Sequence, residues 1–171
     1  MKHQLISDLE QFLSFVRSLE RLKDDEWFEP LGEGKWSIHD IVTHIMKWDE
    51  YFNNVTFPTL TQNKLPELKE HPDYLGFNEQ SVSYGKGRTR QEIIEETIRN
   101  RQMMISNLSM LEDYKFSAVY PGDREFTLES YIKEFFISHD KHHMNQINQF
   151  LMKKQQTQDY FEIESEKSGT I

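Results

Sequence analysis

Apolar residues recur along four stretches of the chain at the spacing of a single helix face. In the first, Leu5, Leu9, Phe12, Val16 and Leu19 are separated by alternating steps of four and three. Ile6 and Leu13 widen that stripe, while Asp8, Glu10, Arg17 and Arg21 lie off it. The spacing predicts a helix over about residues 3–22. A second stripe, Ile38, Ile41, Val42, Ile45, Trp48 and Phe52, ends near Asn53-Asn54. It follows Ser37, whose hydroxyl can accept from the free N–H groups of a first turn, and Asp40 adds a carboxylate at the positive helix end. The third opens on Thr89-Arg90-Gln91-Glu92, a capping-box pattern, and continues through Ile94, Ile98, Ile105 and Leu108. The fourth is capped by Thr127 and runs from Leu128 through Ile132, Phe136, Ile147 and Phe150 to about Met152.

Between the second and third stripes, residues 55–88 show no sustained period and contain Pro58, Pro66, Pro72, Gly76, Gly85 and Gly87. A connection of that length inside a compact domain is usually functional or partly disordered; a short helix around Leu65–Glu70 is its one local feature. A second connection, about 113–126, carries the turn signal Pro121-Gly122-Asp123. There is no repeat and no βαβ alternation. The pattern predicts an all-α antiparallel four-helix bundle over residues 1–154, its long connection between helices 2 and 3 spanning the bundle. Residues 155–171 are polar apart from Tyr160-Phe161-Ile163 and read as a C-terminal tail, mobile or docking.

Composition narrows the function. Phe, Trp and Tyr make up 13 % of 171 residues against 36 % hydrophobic overall, so the core is built from few, large side chains. Lys and Arg number 20 against 29 Asp and Glu, a net charge of −9. That balance leads to the expectation of no nucleic-acid partner, since phosphate neutralisation needs a basic surface. No apolar run approaches the ~20 residues of a membrane span, and no apolar signal stretch follows Met1, so no membrane partner and a cytoplasmic location are expected. Cysteine is absent, which removes disulfides, thiolate metal sites and cysteine nucleophiles together.

Five of the seven histidines, His39, His44, His139, His142 and His143, fall in helices two and four. At about 100° per residue, His139 and His143 lie near the centre of the apolar arc of helix four, and His142 is turned toward its flank. Two imidazoles one turn apart on an inward face can ligate the same metal ion, and a buried neutral imidazole otherwise needs partners for both nitrogens. The alternative is that each is an interior or surface histidine with ordinary partners. A third ligand has to come from another helix. His44 borders the apolar face of helix two beside Ile41, Trp48 and Tyr51, whereas His39 lies further from its centre.

The segment Gly34-Lys35-Trp36-Ser37-Ile38 with Ile41-Val42-Thr43-His44-Ile45 resembles the second-helix signature of the DinB-like superfamily. Phe126-Thr127-Leu128 leading to His139-x-x-x-His143-x-x-Gln146-Ile147 is similar to its fourth helix. The likeness covers residues 1 to about 152. It implies a metal-binding four-helix bundle in which His44, His139 and His143 hold a divalent ion (Zn, Ni or Fe), and a homodimer. It further implies one of the activities described in that family: a thiol-dependent S-transferase of the bacillithiol or mycothiol type acting on small electrophiles, or a metal-dependent hydrolase. A bundle that binds metal or a partner without turnover is the third possibility. His3, His71 and His142 are expected to stay outside the site.

Around such a site, Gln146 and Arg101 are the candidates to act beside the ion. Gln146 follows the pair by three residues on the inner side of helix four. Arg101 falls on the core face of helix three, either paired with a carboxylate for structure, which is the expectation, or placed to hold an anionic cosubstrate. Asp49 is read as a solvated carboxylate rather than an acceptor behind a ligand, and Trp36 as a hydrophobic staple. The 55–88 connection is expected to wall the pocket for a small-molecule substrate such as a low-molecular-weight thiol. Tyr74, Phe77 and Tyr84 then either meet the substrate or pin the connection to the bundle.

Overall fold

A computed structural model describes residues 2–62, 74–120 and 126–168, with side chains to residue 161. The first helix, α1, runs Lys2–Ser18 and ends in a 3₁₀ turn, Leu19–Arg21, followed by the short α2, Asp24–Phe28. Helix α3, Ile38–Tyr51, continues through a π-helical turn, Phe52–Thr56, into α4, Phe57–Thr61. Then come α5, Tyr74–Gly85; α6, Arg90–Met110; and α7, Tyr114–Ser117. Two two-residue strands, β1 (Val119–Tyr120) and β2 (Phe126–Thr127), pair antiparallel. The last helix is α8, Leu128–Ile132, a second π turn, Lys133–Ile137, and α9, Ser138–Ser168.

Four long helices make the bundle. Helix α6 packs on both α1 and α3, and α9 packs on the same two, so α1 and α3 stand diagonally across the core. Lys2 donates to the carbonyls of Ser109 and Leu111 and Arg90 to that of Leu22, which makes α1 and α6 antiparallel. Helices α3 and α6 run the same way, since Asp49 faces Arg101 and Asn53 faces Asn107. That direction is possible because the long connection carries the chain back: α5 lies along α3 in reverse, Phe77 beside Trp48 and Gly85 beside His39.

Helix α5 is absent from the sequence reading because the residues it buries are Asn78, Ser81 and Gly85, which make no apolar period. A Cβ on Gly85 would stand 2.8 Å from Thr43 Oγ1, so glycine is what allows the end of α5 this close to α3. The expected helix around Leu65–Glu70 and the Pro121-Gly122-Asp123 turn lie outside the described residues. Where a polar tail is expected from residue 155, α9 continues to Ser168. The segment is rich in straight-chain helix formers, and the first glycine after His139 is Gly169. Lys154 ties this stretch to Glu29 at 2.5 Å and Asp25 at 3.4 Å.

The core has two parts. Phe52, Phe116, Phe126 and Phe136 anchor one with Leu5, Leu9 and Leu128; Trp27, Ile41, Ile45, Ile94 and Ile147 anchor the other with Phe12 and Val16. Among the described residues no helix is long and apolar enough to cross a membrane.

Candidate metal centre

Helix α3 begins at Ser37, whose hydroxyl accepts from the Asp40 N–H at 3.1 Å, while Asp40 Oδ2 accepts from the Ser37 N–H at 3.0 Å. Two turns further on, His44 is buried among Ile41, Val42 and Ile45. His139 and His143 lie one turn apart on α9, immediately after the π turn that begins at Lys133, and face His44 across the bundle. The Nε2 atom of His139 is 2.9 Å from that of His44 and 3.0 Å from that of His143. The three side chains could hold a metal ion, each offering one ring nitrogen, with the three nitrogens within 4.8 Å of one another. Ligand distances of about 2.0–2.1 Å for zinc cap the separation of two donors on one ion at about 4 Å. Both measured separations are below that cap.

Protons alone cannot satisfy this arrangement. His143 Nδ1 donates to Gln146 Oε1 at 2.8 Å, which leaves the His143 Nε2 lone pair facing His139. If His139 carries its proton on Nε2 and donates it there, it has no lone pair on that atom for His44. If it does not, two lone pairs meet. One of the two short contacts is therefore unsatisfied among neutral imidazoles. A cation at the common point removes the conflict among the three Nε2 atoms, because it takes three lone pairs at once, and the His44 proton then sits on Nδ1.

The rings are held neutral. Burial lowers the His44 pKa to about 2 and that of His139 to about 3, with repulsion among the neighbouring imidazoles adding to it. Burial lowers His143 as well, against the Gln146 hydrogen bond. Their lone pairs are available across the physiological range.

None of the other described histidines joins this cluster, although the His142 ring lies 5.2 Å from that of His143. His3 and His142 are exposed, and His71 lies outside the described residues. His39 is buried and fully partnered: Trp27 Nε1 donates to its Nδ1 at 2.8 Å, and its Nε2 meets the Gly85 carbonyl at 2.8 Å. It latches α2, α3 and α5 together.

Arg101 is buried and grips two carboxylates. It contacts Asp49 at 2.7 and 3.0 Å and Asp140 at 2.5 and 3.0 Å, with the Phe12 ring 4.6 Å from its guanidinium. The structural pairing expected of Arg101 is what stands here, but Asp49 departs from its reading as a solvated carboxylate: it is completely buried. Asp140, which the sequence reading passed over, is the second partner. Burial pushes the Asp49 carboxyl up to about 6 against the pull of Arg101, and burial raises Asp140 too. The clamp joins α6 to α3 and α9, the two helices that carry the histidines.

A cavity of about 390 Å³ opens beside His143 and Gln146, walled by Trp36 and Phe150. Trp36, read as a staple, also lies with its ring 5.0 Å from that of His44. No described residue of the 55–88 connection lines this cavity, and residues 63–73 of the connection lie outside the described residues. Phe77 and Tyr74 pack on Trp48 with ring centroids 4.3 and 5.7 Å away, and the Tyr84 hydroxyl donates to Glu96 at 2.7 Å. These aromatics pin α5 to the bundle. A larger cleft of about 1370 Å³, between α2 and the later turns of α9, includes none of the three histidines.

Three solved structures share this fold. YfiT from Bacillus subtilis, described as a probable metal-dependent hydrolase with an unusual four-helix bundle topology, superposes with a TM-score of 0.72 at 16 % identity, covering 90 % of this chain and 87 % of its own. The colibactin self-resistance protein ClbS, solved in complex with a dsDNA, gives 0.70 at 17 % identity over 88 % of this chain and 94 % of its own. A mycothiol-dependent maleylpyruvate isomerase gives 0.67 at 11 % identity over 86 % of this chain and 60 % of its own. No curated protein sequence matches the chain. The ClbS complex overturns the expectation of no nucleic-acid partner: a protein of this fold binds DNA, and a net charge of −9 does not exclude that class. The family model of the DinB superfamily matches residues 9–147, so the chain belongs to the DinB superfamily.

Proposed function

We propose that the protein is a divalent-metal-dependent enzyme that uses His44, His139 and His143 as ligands and transfers a small-molecule thiol to a small electrophile. The observation that carries this reading is the convergence of the three Nε2 atoms beside a cavity with no carboxylate among the described residues of its lining. Three neutral imidazoles leave a bound ion its full charge and at least one open position, the pattern of catalytic sites; the set suits Zn, Ni or Fe. Such an ion deprotonates a bound thiol outright and lowers the pKa of a bound water to about 7.

The residues around the site favour the thiol. Hydrolysis gains from a general base within hydrogen-bond reach of the water. The described lining offers no carboxylate for this, and Asp49 and Asp140 are both occupied by Arg101. A thiol needs no such base, and a chain without cysteine takes its thiol from solution. Gln146 fixes the His143 tautomer, and Arg101 holds α3 and α9 in register. Hydrolysis is the second reading, supported by the likeness to YfiT.

The test is an assay of the zinc-, nickel- and iron-loaded protein with monochlorobimane and a panel of low-molecular-weight thiols, with ester and amide substrates run alongside. Turnover that requires both metal and thiol and vanishes in His143→Ala supports transfer. Thiol-independent hydrolysis supports the second reading, and inactivity across the panel leaves the metal-binding bundle without turnover.

A further inference from the structure

The charges lining the cavity beside His143 run against the charge of the whole chain. The protein carries nine more acidic than basic residues, yet among the described residues the only charged side chains in the lining, apart from the titratable His143, are Lys35 and Lys153. Neither has an ion-pair partner among the described residues. Four of the eight other lysines with described side chains differ: Lys2, Lys47, Lys133 and Lys154 each lie within ion-pair distance of a carboxylate. The contrast between adjacent residues is the sharpest. Lys154 turns to Asp25 and Glu29, while Lys153 lines the cavity.

The lining also has an order. His143, Gln146, Phe150 and Lys153 follow one another at steps of three, four and three along α9, which puts them on one stripe of the helix. Ten residues at ~1.5 Å each place Lys153 about 15 Å along the axis from His143. Lys35 and Trp36, in the segment leading into α3, form the facing wall. Along α9 from His143 outward, a ligand meets an amide, then an aromatic ring, then an ammonium group, with Trp36 and Lys35 on the facing wall.

We propose that this cavity is a subsite for a small organic acid with an apolar body, its carboxylate held by Lys35 and Lys153 and its other end directed toward His143. The assignment deepens the reading of the three histidines as a catalytic metal centre by naming the substrate class, and its binding test is independent of the metal. A carboxylate fits better than a free phosphate. At the nearest helix start the cap takes the N–H groups of Ser37 and Asp40, and the Asp40 carboxylate already occupies that positive end, which works against a doubly charged anion there. Apolar walls also call for an apolar body.

The experiment is an NMR titration of the full chain with 3-phenylpropanoate and its neutral isostere 3-phenylpropanamide. It is run on wild type and on the double variant Lys35→Gln/Lys153→Gln, each with EDTA and with one equivalent of zinc. Both lysines are exposed, so the variant keeps the fold. The acid is expected to bind about tenfold more tightly than the amide, the size of two solvent-exposed ion pairs, and the double variant to bring that ratio near one. A ratio near one in wild type, a preference that survives in the double variant, or no binding of either probe overturns the subsite. If zinc perturbs none of the three histidines, the metal reading fails while the acid-to-amide ratio still decides the subsite.

Discussion

Arg101 and Asp140 are joined by two hydrogen bonds of 2.5 and 3.0 Å, and Asp140 directly follows His139 in the chain. With Asp49 on the other side of the guanidinium, five residues after His44, the clamp spans the same two helices as the metal centre. The position of His44 opposite His139 therefore depends on a group that does not itself reach the site.

Replacing Arg101 leaves two buried carboxylates without their countercharge. Arg101→Met is expected to lose about 3–5 kcal/mol of stability, the cost of breaking a buried pair by removing one partner. Arg101→Lys keeps the charge but not the two-sided fork and should fall between the variant and wild type. Urea unfolding measures both; a loss below about 1 kcal/mol for Arg101→Met contradicts the clamp.

Metal binding stabilises a fold by mass action, about 2.7 kcal/mol at a hundredfold excess over the dissociation constant. His143→Ala should abolish the rise in melting temperature on adding metal, whereas exposed His142→Ala should keep most of it. Thermal scans with and without chelator distinguish the two, and equal shifts in both variants contradict the assignment.

Gln146 accepts from His143 Nδ1 and so aims its Nε2 at the centre. Removing such a partner of a ligand typically weakens metal affinity about 10–100-fold. Gln146→Ala is expected to show that loss by competition with a chelating dye at little cost in metal-free stability. Unchanged affinity would make Gln146 a bystander.

The lowered histidine pKa values set a pH dependence for the metal-free protein. Between about pH 6.5 and the folded values of about 2 and 3, the unfolded chain binds protons that the folded chain refuses, so the histidine contribution to stability falls as pH drops through that window. Asp49, raised to about 6, works in the opposite direction between roughly pH 6 and 4. Comparing wild type with His44→Phe isolates one histidine: the difference in unfolding free energy should change by up to about 1.4 kcal/mol per pH unit below pH 6. A pH-independent difference contradicts a buried, neutral His44.

The parts of this structure that were legible in the sequence are those that follow a helix period or a cap. Ser37, Thr89 and Thr127 begin their helices as their hydroxyls imply. His139 and His143 could be placed because they share an unbroken α-helical stretch with buried Ile147. Helix α5 escaped because a face made of Asn78, Ser81 and Gly85 carries no apolar signal. Asp49 and Asp140 escaped for a related reason: a carboxylate is read as solvated unless its cation is known, and Arg101 is 52 and 39 residues away. The parts that Trp36 and Lys153 take in the cavity lining escaped because Trp36 looked like part of a cap and α9 like a helix ending near Met152.

The central claim is that one ion is held by three particular nitrogens. The direct measurement is a crystal structure of the metal-loaded chain with anomalous data collected at the edge of that metal. The account predicts one strong peak per chain within about 2.0–2.3 Å of the Nε2 atoms of His44, His139 and His143. A metal-loaded chain whose anomalous peak lies elsewhere, with these three nitrogens unligated, contradicts it.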